Sequence, residues 1–278
     1  MNRSLEVARA EGLDPHYVNR LARFEAALAR RSVLDRRIRL LVRVGQFTVT
    51  RNPARLEDAL SAALDEGLAQ AALEVIFQCS VYSGDQGVGA ALEIFVRLAR
   101  REGQLDAVRS AALPVEGPDR GTMESEQPGW DPQDQADPRR QSLMQRYGWS
   151  GISTGLRLRP RHHLNILEYL DAIDQDFARS WLEFIYDGMY VRGVLDDRTR
   201  LLCLVGELSA LGETTQLREH MRGALRCGAS VEQLKEVVLQ TCLDFGMPYM
   251  LRSLALLVSV LEEDGRLAEI GSPPRAVQ

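Results

Sequence analysis

The 278-residue sequence predicts an all-α protein built from two tandem helical bundles. Three observations carry that expectation. Apolar residues recur at spacings of three and four along most of the chain, which is the helical period. No alternating or β-branched stretch bounded by turn residues gives a strand signal. The pattern L-D-x-R-x-R-L-L-x-x-V-G occurs at Leu34 to Gly45 and again at Leu195 to Gly206, 161 positions later. Repeats of this kind identify the architecture before any single helix does.

The match extends beyond the pattern, with Arg31 on Arg192, Leu56 on Leu217, Ala63 on Ala224 and Gly67 on Gly228. One inserted residue then shifts the register, and Glu74 to Gly84 lies on Glu236 to Gly246 with Glu, Val, Gln and Gly retained. The copies differ where the second carries Glu207, His220 and Asp244 and the first carries Gln46, Ala59 and Tyr82. Chemistry confined to one copy is therefore expected in the second.

Residues 1–102 read as a degenerate first repeat, rich in Ala, Leu, Arg and Glu. Residues 103–150 read as a linker, because Pro114, Pro118, Pro128, Pro132 and Pro138 stand there among Asp, Gln and Gly with few aliphatic side chains. Residues 151–278 form the second repeat. Within it, Asp171 to Gly188 places Ile173, Phe177, Trp181, Phe184 and Ile185 on one stripe. Leu195 to Leu211 is a strongly apolar helix closed by Gly212, and Thr215 to Cys227 is followed by Gly228 at a C′ position. Ser230 caps the next helix, which runs to about Phe245 before Gly246 and Pro248. Tyr249 to Gly265 completes the set, so each repeat holds about five helices.

Charge is nearly balanced, 34 basic against 39 acidic residues, and the basic ones are scattered, which argues against nucleic acid. No apolar stretch approaches the length of a membrane span, and the first 30 residues lack the apolar centre of a signal peptide, so a cytoplasmic location is expected. Cys79, Cys203, Cys227 and Cys242 lie far apart and form no Cys-x-x-Cys, which disfavours dithiol redox chemistry.

Glu207 sits within the apolar run L-L-C-L-V-G-E-L-S-A-L, where burial would raise its pKa; a solvent-facing position is the competing reading. His220 shares a helix face with Leu217 and Ala224, as either a hydrogen-bonded core residue or the group that moves protons near neutral pH. Gln240 and Asp244 are one turn apart and suggest a polar lining. Arg192 could grip a carboxylate, although its retained counterpart Arg31 suits a structural role. His162 and His163 lie in R-L-R-P-R-H-H-L with no partner spaced for metal, and a solvated loop is expected. No metal or cofactor site is read from the sequence.

Taken together, D-F-A-R-S-W-L-E-F-I-Y-D-G-M-Y-V-R-G-V-L-D-D-R-T-R-L-L and L-R-E-H-M-R-G-A-L-R-C-G-A-S-V-E-Q-L-K-E-V-V-L-Q-T-C-L-D-F-G-M-P resemble the carboxymuconolactone decarboxylase family of the alkylhydroperoxidase D-like superfamily, over about Asp171 to Leu261. Residues 17–100 look like a degenerate copy. The resemblance implies a homotrimer of two-unit bodies and places a functional His at His220, with Gln240 where relatives often have a second His or Gln. Asp244 stands where an aromatic residue is common, and Tyr186 and Asp187 where Trp-Gly is common, so the substrate is expected to differ. The resulting expectation is a cofactor-independent lyase acting on a carboxylated lactone or related small carboxylic acid. Glu207 and His220 would be catalytic, and Arg192, Gln240, Asp244 and Tyr186 would bind substrate. An isomerase, hydrolase or cyclase on the same scaffold and a non-catalytic assembly protein are the alternatives, and a thiol peroxidase is disfavoured.

Overall fold

A computed structural model describes residues 3–111 and 137–271, and every described element is helical. In chain order these are α1 (Arg3–Ala10), α2 (Pro15–Ala29), α3 (Arg36–Val49), α4 (Pro53–Asp65), α5 (Ala69–Gln78), α6 (Ser80–Arg101), α7 (Leu105–Ser110), α8 (Pro138–Tyr147), α9 (Trp149–Leu158), α10 (Pro160–Ile173) and α11 (Gln175–Leu182). A π-helical segment, Glu183–Met189, follows, and then α12 (Asp197–Leu211), α13 (Thr214–Arg226), α14 (Val231–Phe245), α15 (Met247–Glu263) and a 3₁₀ turn, Leu267–Ile270.

Side chains at the helix starts explain most of these boundaries. Asp35 accepts from the Arg37 backbone N–H (2.6 Å) to open α3, and Asp196 does the same for Thr199 (2.8 Å) to open α12. Ser230 and Gln233 satisfy each other's backbone N–H groups in a capping box at α14. Gly212 takes the left-handed conformation (φ +69°) that lets α12 stop and turn toward α13.

Helices α3 and α12, the two copies of the repeated pattern, make the most extensive contact in the molecule. Gly45 and Gly206 sit at their crossing. A Cβ at Gly45 would lie 2.6 Å from Glu207 Oε1, and one at Gly206 2.6 Å from Val42 Cγ1, so the absence of a side chain permits this approach. Helix α12 is buried from Thr199 to Ala210, the pattern of a central helix rather than a surface one. Leu60, Leu64, Ile76 and Leu98 from the N-terminal half and Leu201, Leu208, Leu234 and Leu257 from the C-terminal half belong to one continuous apolar core.

Three expectations drawn from the sequence are corrected here. The stretch Asp171 to Gly188 is not one helix: the Asp174 side chain accepts from Phe177 N–H (2.9 Å) and starts α11 anew. Spacing counted across that break does not define a face. Ile173, Phe177 and Phe184 are exposed, while Ala178, Leu182, Ile185 and Tyr186 are buried. Both described ends of the segment 103–150 are helical, and Leu105, Leu143 and Met144 are buried there. Pro138 is a helix start, with Asp137 accepting from Arg139 N–H (2.9 Å), so the proline that suggests a break opens α8. Pro114, Pro118, Pro128 and Pro132 lie outside the described residues. Finally, His162 and His163 belong to the first turn of α10, not to a solvated loop, and His163 is fully buried with its ring over Gly155.

Among the described residues, no helix is long and apolar enough to cross a membrane.

Candidate active site

Two polar clusters flank the α3 and α12 crossing, and each draws residues from both halves of the chain. In the first, Arg200 of α12, with no exposed side-chain surface, donates to Glu74 of α5 (2.7 Å) and to Gln78 (3.3 Å). Arg192 donates to the other oxygen of Glu74 (2.9 Å). Gln78 in turn donates to Glu207 Oε1 (2.7 Å), and the neighbouring Cys79 thiol donates to the Gly45 carbonyl (3.7 Å). Glu207 is wholly buried, and its Oε2 has no hydrogen-bond partner. Burial drives its pKa up to about 7, against the opposing pull of Gln78, Cys79 and the Arg200 charge.

His220 is also wholly buried. Its Nδ1 faces the Gln216 carbonyl (2.7 Å), which requires a proton on that nitrogen. Nε2 is then a bare acceptor and receives the Tyr82 hydroxyl proton at 2.9 Å. Desolvation, followed by the Arg159 charge, holds the His220 pKa well below its ordinary value, so the ring is neutral at neutral pH. Burial raises Tyr82 well above its ordinary value and pushes Tyr186 up to about 12, so both phenols are neutral too. The Tyr190 ring stacks on Tyr186 at 5.4 Å. Tyr186 accepts from Arg159 (2.7 Å) and packs against His163 (4.2 Å between ring centres).

The second cluster is the topological counterpart of the first. Arg31 donates to Glu236 (2.6 Å), as Arg192 does to Glu74. Gln240 donates to Glu236 (2.7 Å) and to the Leu28 carbonyl (3.1 Å). Gln46, at the position corresponding to Glu207, donates to Thr241 (3.1 Å). Asp244 is held by Arg43 (3.4 Å) and Arg55 (3.2 Å) of the N-terminal half. A cavity of about 210 Å³ lined by Arg39, Arg43, Arg55, Gln240 and Asp244 opens here.

The residues singled out in the sequence are thus divided. Glu207, His220, Tyr186 and, through Glu74, Arg192 attach to the first cluster. Gln240 and Asp244 line the second. Glu207 and His220 have separate partners, Gln78 and Tyr82, both from the N-terminal half. The sequence reading missed Glu74, Gln78, Tyr82, Arg159, His163 and Arg200. The retained Arg39 and Arg200, and the retained Glu74 and Glu236, carried the signal for a buried pair. Nothing in the spacing marked Tyr82, which is 138 residues from His220.

The four cysteines are free, and burial raises the thiol pKa of Cys79 and Cys203. Such thiols are poor nucleophiles. Among the described residues, no group of three or more His, Cys, Asp and Glu side chains is arranged to hold a metal ion.

Comparison with known proteins agrees with this geometry at the level of family. Residues 175–259, from α11 into α15, match the Carboxymuconolactone decarboxylase family. The 4-carboxymuconolactone decarboxylase of Acinetobacter baylyi is 32% identical over 105 residues, covering 37% of this chain and 78% of that protein. The uncharacterized 15.0 kDa protein in the nqo9-nqo10 intergenic region of Paracoccus denitrificans is 27% identical over 126 residues, covering 45% of this chain and 94% of that protein. The chain belongs to the carboxymuconolactone decarboxylase family.

Proposed function

We propose that the protein is a cofactor-independent lyase that decarboxylates a carboxylated lactone or a related small carboxylic acid at the cluster of Glu207, His220 and Tyr82. The observation that carries this reading is the wholly buried carboxyl group of Glu207, with Oε2 unpartnered and its pKa pushed up to about 7, together with the neutral His220 and Tyr82 pair. Loss of CO2 moves the electron pair of the broken C–C bond onto the lactone carbonyl as a dienolate, and a proton must then reach carbon.

Glu207 is half protonated near neutral pH and suits proton donation. Its carboxylate, once formed, accepts from the Gln78 amide, with the Arg200 charge nearby. Glu207 recovers the proton it gives to carbon from solvent, and the neutral His220–Tyr82 pair orients the ligand. The same groups also suit isomerisation, so product analysis has to accompany any assay. Tyr186 and, through Glu74, Arg192 shape the same cluster. Gln240 and Asp244 would enter only through the second cluster.

We further infer that the chain arose by tandem duplication, and that it assembles as a homotrimer in the cytoplasm. The swapped pairs Arg31 with Glu236 and Arg192 with Glu74 support the duplication. Exposed Tyr169, Ile173, Phe177 and Phe184 support self-association, and the four free cysteines suit a reducing compartment.

The test is CO2 release from γ-lactones bearing one carboxylate. Wild-type protein should turn over at least one of them, and His220→Gln should lower turnover by about 10²-fold or more, the usual scale of acid–base catalysis. Thiol alkylation should leave activity intact. Full activity in His220→Gln, or its loss on alkylation, would move the chemistry elsewhere.

A further inference from the structure

Arg159 is the N-cap residue of α10 and lies outside the segment that matches the family. It is 6% exposed, and its guanidinium stands among Tyr82, Tyr186, Tyr190 and His220. Nη2 donates to the Tyr186 hydroxyl (2.7 Å), while Nε and Nη1 are buried and have no hydrogen-bond partner among the described residues.

No carboxylate among the described residues pairs with Arg159. Its neighbours supply no negative charge either: the three tyrosines are held neutral by burial, and so are His220 and His163, the latter pushed down to about 3. A guanidinium is always charged, and burying one without a counter-charge is costly. Every other deeply buried cation in this site has an acidic partner, as Arg200 has Glu74.

We propose that Arg159 is the anchor for the carboxylate of a small ligand, and that the ligand carries a second oxygen acceptor. Nε and Nη1 lie on different edges of the planar guanidinium, so a carboxylate on one leaves a donor for a ring or chain carbonyl on the other. A compact lactone or oxo acid has both groups. The neutral phenols and imidazoles around the anchor exclude a competing internal carboxylate, and they keep the ligand's own charge uncompensated except by Arg159. The link to turnover rests on the lyase reading; the binding site does not.

The test is calorimetric titration of the full-length protein with 5-oxotetrahydrofuran-2-carboxylate and with the corresponding carboxamide. The carboxylate should bind wild-type protein about tenfold or more tighter than the amide, as a charge-assisted contact demands. Arg159→Met should lose that discrimination, and Arg159→Lys should keep part of it. Thermal unfolding without ligand supplies an independent readout: Arg159→Met should melt at or above the wild-type temperature, because an uncompensated buried charge is gone. Equal binding of acid and amide by wild-type protein would overturn the proposal, as would Arg159→Met melting well below wild type or failing to fold. His220→Gln should keep the discrimination. If wild-type protein discriminates acid from amide in this way yet turns over no lactone, the anchor stands and the lyase reading falls.

Discussion

The two polar clusters have the same framework and opposite electrostatics. Around Asp244, Arg43 and Arg55 converge on one carboxylate and Gln46 meets Thr241 as a neutral pair, although Arg39 Nε and Arg43 Nε are buried without hydrogen-bond partners. Around His220 a carboxyl oxygen, Glu207 Oε2, and two nitrogens of Arg159, which has no acidic partner among the described residues, are buried without partners. Only a few positions make this difference. Glu replaces Gln at 207, His replaces Ala at 220, and the corresponding aromatic position holds Tyr82 in one cluster and Asp244 in the other. The repeated sequence pattern thus carries a carboxylate held by two arginines in one cluster and a buried, partly unpartnered carboxyl group in the other.

The largest effect that sharpens this comparison concerns the twin ion pairs. Glu74→Gln should cost about 3–5 kcal/mol in chemical unfolding, because Arg200 is left charged in a fully buried place. Glu236→Gln should cost about 1 kcal/mol, because Arg31 is 37% exposed and can turn to water. Equal costs would erase the distinction between the clusters.

The next effect is a pH dependence whose sign follows from Glu207. Its folded pKa of about 7 lies above its ordinary 4.5, so the folded state holds the proton that the unfolded state has released. Stability from this group is full below pH 4.5 and is lost as pH rises to about 7. His220 and His163 act oppositely: their folded values lie below 6.5, so their contribution is lost as pH falls below 6.5. Comparison of wild type with Glu207→Gln isolates the carboxyl term. Relative to wild type, the variant should gain about 3 kcal/mol between pH 4.5 and pH 7. A pH-independent difference would show that Glu207 ionises normally.

A smaller effect is catalytic. Tyr82→Phe removes the hydroxyl that His220 accepts and should lower turnover about tenfold, within the lower range of acid–base contributions. Asp244→Asn, in the other cluster, should leave turnover within about twofold, since fully compensated groups away from the chemistry are near-neutral to rate. The reverse ranking in steady-state assays would transfer the active site to the second cluster.

Much of the fold was legible because its signals are local. Asp196, Gly212 and Ser230 mark helix ends through bonds to backbone within a few residues, and the α3 and α12 pattern is written twice. His220 was legible as an inward polar residue for the same reason, having apolar neighbours on its own helix face, whereas the apolar run around Glu207 left burial and a solvent-facing position both open. Their partners were not. Gln78 and Tyr82 reach them from the other half of the chain, and helical periodicity says which face is buried without saying what it is buried against. His163 was misread because Gly155, eight residues earlier, opens the space for its ring, which no spacing rule reveals. Asp244 was legible as a polar lining, but the arginines it faces come from α3 and α4.

The most direct test of the contrast is the titration of Glu207 itself, followed by ¹³C NMR of the glutamate side-chain carboxyl signals and assigned with Glu207→Gln. A midpoint near 7 is predicted, with Glu207 protonated at a pH where ordinary surface glutamates are fully ionised. A midpoint near the ordinary value of 4.5 would mean that the buried carboxyl group is compensated after all, and that the two clusters do not differ in the way that makes one of them a site.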